Sequence, residues 1–277
     1  MTPDALIRAR YGIPPEAPSP FDVPPEIPPA LGAILDRRVT RRYRKDQPVP
    51  EPVLATLLAA MQSAPSKSDL QQYSVIVLQD PEKIGRIARW IGGMDWIADA
   101  PVFLLFCGDI RRGRRACAIH GRAHANDNVD TFINATTDAA LAMGFMILAA
   151  EAAGLGTCPI SYVRNHVEKI GPMCGLPEGV FPVAGLTLGF PEGNRNWLSP
   201  RLPQRLVAHR ETYDDSGLEA ALPAYDTCRP PARPRYPEIH GPKPEGCGWS
   251  ENAARQLSVP ERFGLRTWLK LRGLALD

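Results

Sequence analysis

Residues 139–150 read Ala-Ala-Leu-Ala-Met-Gly-Phe-Met-Ile-Leu-Ala-Ala, the longest apolar run in the chain, with Asp138 before it and Glu151 after it. How this run is placed decides the fold. A bilayer span needs about 20 consecutive apolar residues, so a twelve-residue run bounded by two acids reads as a buried core helix. The spacing extends that helix over about 130–153, and Gly154 and Gly156 supply its C-terminal stop.

Working outward, the segments beside this helix are strands. Val102–Cys107, VFLLFC, is apolar on both faces and reads as a central strand. Tyr73–Leu78, YSVIVL, is β-branched and closes at Gln-Asp-Pro, and Val183–Leu188 is a further apolar strand. Helices are expected at 30–38, at 53–64 behind Pro52, at 81–91 before Gly92-Gly93, near 165–174, and in one or two pieces over 250–272. In that last stretch Phe263, Leu265, Trp268, Leu269 and Leu271 are available to pack. Helices and strands mix without strict βαβ alternation, which predicts an α+β fold and not a doubly wound sheet.

The 277 residues bear 32 Lys and Arg against 30 Asp and Glu, a formal net charge of +2. So small an excess argues against nucleic acid as the main partner and makes arginine-rich spots local features. No leader-like apolar segment precedes the first prolines, so a cytoplasmic protein is expected. The six cysteines show no regular spacing. Cys117, His120 and His124 lie at helical spacing without a fourth ligand, and no metal site is assigned. Residues 1–29 hold nine prolines and read as an extended arm. Residues 30–224 read as the main domain, and 225–277 as an irregular Pro-, Gly- and Arg-rich excursion followed by helices.

The candidate chemistry lies in polar loops, because no phosphate-binding glycine loop, H-E-x-x-H or nucleophile elbow is present. Arg37-Arg38-Val39-Thr40-Arg41-Arg42-Tyr43 places four guanidinium groups within six positions. On a helical turn Arg37, Arg38 and Arg41 would share a face, a donor set suited to phosphate. A basic surface patch for an anionic partner or nucleic acid is the competing reading, and it would leave the protein without catalytic activity. Ala64–Gln72, APSKSDLQQ, gathers hydroxyls, an ammonium, a carboxylate and amides; it suits a ligand rich in hydrogen-bonding atoms, or is an ordinary Ser/Asp turn. Cys158–Asn165 and Pro200–Pro203 complete the set of polar loops.

Read in order, these motifs resemble the flavin-dependent nitroreductase family. The arginine run is followed by Pro48-Val49-Pro50, the APS loop with Leu70-Gln71, Trp96-Ile97-Ala98-Asp99-Ala100-Pro101, and Ala152-Ala153-Gly154-Leu155-Gly156-Thr157. Val163-Arg164-Asn165, Gly175-Leu176-Pro177-Glu178, Gly185-Leu186 with Leu188-Gly189 and Pro191, Pro200-Arg201-Leu202-Pro203 and Trp249-Ser250 are similar to its NADPH-preferring branch, that of the major bacterial nitroreductase and flavin reductase P.

The resemblance implies a homodimeric α+β sandwich, a mostly antiparallel sheet flanked by helices with extended terminal arms, with FMN at the subunit interface. It implies electron transfer from NADPH or NADH to a small oxidised aromatic compound such as a nitroarene, in ping-pong order; a flavin or quinone reductase of the same family is the alternative. Arg37, Arg38, Arg41 and Arg201 would hold the FMN phosphate, and Ser66, Lys67, Ser68 and Gln71 the ribityl chain and pyrimidine edge. Ser161 and Tyr162 stand where the family often has two glycines beside the ring. No side chain acts as nucleophile; Lys67 would stabilise charge on the reduced ring. Arg229, Arg233 and Arg235 would meet the 2′-phosphate of NADPH. Val39, Asp69, the Ser161-Tyr162 pair and Ser199 depart from the family pattern and bear mainly on substrate range.

Overall fold

The computed structural model describes residues 1–193, 197–228 and 246–276. In chain order come α1 (Pro3–Tyr11), α2 (Pro29–Leu35), α3 (Glu51–Gln62), β1 (Tyr73–Leu78), α4 (Pro81–Ile91), β2 (Val102–Asp109) and α5 (Arg111–Ile119). Then follow α6 (Val129–Ala152), β3 (Gly156–Ile160), α7 (Val167–Met173), β4 (Val180–Gly189), α8 (Leu218–Thr227), α9 (Trp249–Leu257) and α10 (Leu265–Leu271). The chain divides into two compact units: Met1–Arg38 with Asn196–Pro260, and Val39–Arg195 with Glu261–Asp277.

The larger unit is built on a four-stranded sheet in the order β1-β2-β4-β3, in which every neighbouring pair is antiparallel. All of β2 is buried, as its two-faced apolar sequence predicts. Its side chains alternate. Val102, Leu104 and Phe106 join Leu57 and Met61 of α3 and Ala142 and Met146 of α6 in one core. Phe103, Leu105 and Cys107 pack on the opposite face with Ile84 and Ile87 of α4 and Ile170 of α7. The sheet is therefore the filling of a helix sandwich.

The helix α6 is long and apolar enough to cross a membrane by composition. It nevertheless carries Ala135, Ala139, Ala142, Met146 and Ala150 into the core of this unit, as expected of a core helix. Trp268 and Leu269 of α10 also pack inward, whereas Phe263 and Leu271, read as packing residues, are 81% and 79% exposed.

Several segments differ from their sequence reading. Within the Pro-rich arm, Pro3–Tyr11 is helical: Thr2 accepts the Ala5 N–H, Pro3 starts the helix, and Gly12 closes it in the left-handed conformation. Residues 111–119, read as a connection, form α5. Gly156–Ile160, read as the last glycine stop and a polar loop, is the edge strand β3.

The Arg37–Tyr43 run is not a helical turn. Beyond α2 the backbone is extended, with Val39 bridging Thr157 and Tyr43 bridging Pro191. The Thr40 N–H donates to the Thr157 carbonyl at 2.8 Å. That approach requires Gly156, because a Cβ there would lie 2.1 Å from the Thr40 hydroxyl oxygen. Tyr43 is buried, and its hydroxyl donates to the Thr40 carbonyl at 2.7 Å and lies 2.7 Å from the Thr187 hydroxyl. This burial holds the Tyr43 phenol well above its ordinary ionisation range.

Candidate functional site

In the larger unit, the APS loop has an unusual backbone. Among the described residues five non-glycines have positive φ, and three of them, Ser68, Asp69 and Gln71, lie in this loop. Each such residue costs roughly 1–2 kcal/mol, so the surroundings must enforce the shape. The enforcing group is Asp138 of α6, 1% exposed. One of its carboxylate oxygens accepts the Lys67 N–H and the other the Gln72 N–H, both at 2.9 Å.

The loop also closes on itself. The Ser66 hydroxyl accepts the Gln71 N–H at 3.1 Å, and the Asp69 carboxylate accepts the Gln71 side-chain amide at 3.1 Å. From α5, the Arg112 guanidinium donates to the Gln71 carbonyl at 2.5 Å and the Tyr73 carbonyl at 3.1 Å. Arg112 is itself held by Asp109, whose carboxylate accepts its N–H at 3.2 Å. Lys67, Ser68 and Gln71 are left exposed. The result is a rigid rim of hydroxyl, amide and ammonium groups facing solvent.

The other predicted residues of this unit sit apart from that loop in sequence. Arg41 places its guanidinium 5.8 Å from the centre of the Trp96 ring, a cation–π contact that orients it. Arg42 is exposed and lies 3.7 Å from Glu192. Ser161 and Tyr162 open a 3₁₀ turn, Ser161–His166, directly after β3. Ser161 is exposed, whereas Tyr162 packs part of its ring on the α4–α7 side of the core, so its bulk is partly absorbed there.

In the smaller unit the structure gathers Arg37, Arg38 and Arg201 around a residue that sequence reasoning did not select, Arg10 at the end of α1. Arg10 donates to the Leu35 carbonyl at 2.5 Å, the Arg37 carbonyl at 3.0 Å and the Ser199 carbonyl at 3.3 Å. Its own carbonyl accepts the Arg201 N–H at 2.8 Å. Burial lowers the Arg10 pKa, and the charges of Arg201, Arg37 and Arg38 push it down further against the pull of Asp36. Arg38 also bonds Asp36 at 2.9 Å. Guanidinium charges near enough to act on one another in this way are donors of the kind an anion site uses.

Arg229, Arg233 and Arg235 lie outside the described residues. Besides Arg10, sequence reading passed over Asp138 and Arg112. Asp138 was legible in principle: it lies three residues after Ala135 and four before Ala142, on the stripe that a helix buries.

Comparison with known proteins agrees with this architecture. The profile of the nitroreductase family matches residues 34–190, and that of the family's C-terminal domain matches 199–277. The protein named FMN reductase, NAD(P)H type, of Bacillus subtilis is 40% identical over 172 residues, which cover 61% of this chain and 69% of that protein. The oxygen-insensitive NADPH nitroreductase of Salmonella typhimurium is 30% identical over 218 residues, 79% of this chain and 87% of its own length. Among solved structures, the hypothetical oxidoreductase YcnD of Bacillus subtilis superposes with a TM-score of 0.81 at 32% identity, covering 91% of this chain and all of that one. With its sheet, its helices and both of its sequence segments matched, this chain belongs to the nitroreductase family.

Proposed function

We propose that this chain is an FMN-dependent oxidoreductase that passes electrons from NADPH or NADH to nitroaromatic compounds in ping-pong order. As a member of the family it is an enzyme, an NAD(P)H-dependent flavin oxidoreductase. The observation that carries the reading is the strained, Asp138-pinned loop at 67–72, a preformed row of polar groups. The donors present fit FMN. The smaller unit offers a guanidinium cluster suited to a phosphate dianion, and the loop offers hydroxyls and amides suited to a ribityl chain and a pyrimidine edge.

In this reading Arg37, Arg38 and Arg201, with Arg41, hold the phosphate. Ser66, Ser68 and Gln71 line the ribityl chain and pyrimidine edge, and the backbone at Ser161 and Tyr162 borders the ring. Bound FMN supplies the two-electron redox chemistry. The Lys67 ammonium stabilises negative charge at the pyrimidine edge, and no protein nucleophile takes part. Nicotinamide and acceptor use the site in turn.

A homodimer belongs to the same proposal. Val129, Ile133, Leu141, Phe145 and Leu148 form an exposed apolar stripe on α6, a face suited to a second copy. The limits 1–29, 30–224 and 225–277 for arm, main domain and C-terminal excursion belong to the same proposal. The reaction is placed in the cytoplasm, where NAD(P)H is supplied.

A second reading rests on the relative at 40% identity, which is named an FMN reductase: the acceptor would then be free flavin. Turnover measured side by side with a nitroarene, a quinone and free FMN separates the two. A strong preference for free FMN refutes nitroarene reduction as the function. A purified protein that is colourless and takes up no FMN refutes both.

A further inference from the structure

The N-terminal helix α1 belongs to no part of the proposed chemistry, yet its Arg10 is the hub of the smaller unit. The Leu35 carbonyl is among the last of α2, where carbonyls lack helical partners and a cation is favoured. One guanidinium thus closes α2, fixes the backbone at Arg37, and holds the Ser199 carbonyl two residues before Arg201. The Arg10 carbonyl then takes the Arg201 N–H directly. The two chain segments that carry Arg37, Arg38 and Arg201 are distant in sequence, and Arg10 is bonded to both.

The position of α1 is itself built in. Its cap Gly12 lies against Cys228 at the end of α8 so closely that a Cβ would come within 2.8 Å. From α8, the Tyr225 hydroxyl donates to the Pro200 carbonyl at 3.0 Å, a further bond to the Arg201 segment.

This brace has an electrostatic cost. Arg10 is drawn into a group of like charges, with Asp36 as the opposing acid. Repulsion among guanidinium groups favours dispersal of the cluster, and a bound dianion reverses that preference. Order in α1 and occupancy of the phosphate site are therefore linked, each strengthening the other.

We propose that Arg10 is a positioning residue for the phosphate arm of the cofactor site, and that α1 is a brace whose docking is coupled to the phosphate of the bound flavin. The proposal rests on the FMN reading above and concerns its phosphate end alone.

The test compares FMN with riboflavin, which lacks the phosphate, by quenching of flavin fluorescence in the apoprotein. Arg10→Gln is expected to weaken FMN by about tenfold or more, as loss of charge-assisted bonds at an anion site does. Riboflavin affinity should change by less than about twofold on the same grounds. Arg10→Lys keeps the charge but lacks the fork that reaches two segments, and should recover only part of the loss. Hydrogen exchange on the wild-type full-length protein adds a measurement that needs no variant: amides of residues 4–11 should gain protection with FMN and not with riboflavin.

Equal losses of FMN and riboflavin in Arg10→Gln, or no loss of either, overturn the proposal. So does unchanged exchange in α1 on FMN binding. A wild-type protein that binds neither flavin refutes the FMN reading itself, an outcome distinct from these.

Discussion

Asp138 and Gln72 are joined across 66 positions of sequence by a 2.9 Å hydrogen bond from the Gln72 N–H to the carboxylate, and both residues are buried. The second carboxylate oxygen takes the Lys67 N–H, so one side chain holds both ends of the polar loop. Asp138→Asn keeps the shape but offers a single acceptor, and its NH2 faces an N–H that needs one. Each buried donor left unsatisfied costs roughly 1–3 kcal/mol, so the variant should lose about 2 kcal/mol of unfolding free energy and hold less flavin. Urea unfolding with an unchanged m-value checks this; wild-type stability would remove Asp138 as the loop's anchor.

The loop stores strain at Ser68, whose φ is +50°. Glycine adopts that conformation freely, so Ser68→Gly should raise stability by about 0.5–1 kcal/mol. The same change removes a hydroxyl assigned to the ligand and should lower FMN affinity. Opposite movement of melting temperature and affinity is the expected signature; a fall in both would mean that Ser68 is structural only.

Gly156 admits the arginine run to the sheet edge. In Gly156→Ala the added methyl would meet the side chain of Thr40, nearest atom 2.1 Å away, and must displace the segment that bridges Val39 to Thr157. Overpacking of this kind costs about 1–3 kcal/mol. Calorimetry should record a clear drop in melting temperature, and an unchanged value would show that the segment moves aside without cost.

The Tyr43 phenol ionises at higher pH in the folded chain than in the unfolded one, because burial disfavours the phenolate. Above pH 10, the ordinary tyrosine value, the unfolded state releases the proton while the folded state retains it. Stability is therefore intact below that pH and declines as pH rises past it. The buried Cys107 thiol acts in the same direction from about pH 9. Tyr43→Phe should cost about 1–2 kcal/mol near neutrality, through loss of the hydroxyl's bonds to the Thr40 carbonyl and Thr187. It should also flatten the decline above pH 10. Urea midpoints taken across pH 8–11 test this; an equally steep decline without the hydroxyl would exclude Tyr43 as its source.

Where sequence and structure agree, the signal is local. The run Tyr73–Leu78 is a strand with both ends as read, because a β-branched stretch met a Pro-led helix start. The twofold apolar β2 and the long α6 follow from period and length alone. Where they differ, the deciding contacts are remote. The helix α1 carries a Thr cap, an N-terminal proline and a closing glycine, but the prolines that follow obscure this pattern. β3 contains a proline and is a strand only because β4 pairs with it.

The arginine run shows the same division. Its composition was legible, and its extended backbone was not, since that depends on the Thr157 carbonyl and on the missing Cβ of Gly156. Arg10 acts through bonds to backbone distant in sequence, which no motif records; Asp138 stands on the buried stripe of α6, yet the loop it holds is equally remote.

The pinned loop also determines when order is acquired. Fixing a residue's backbone costs roughly 1–2 kcal/mol in entropy, and across 67–72 that loss occurs as Asp138 and Arg112 close on the chain during folding. A ligand arriving later meets a receptor already at rest, and its contacts with this loop are not taxed by ordering it.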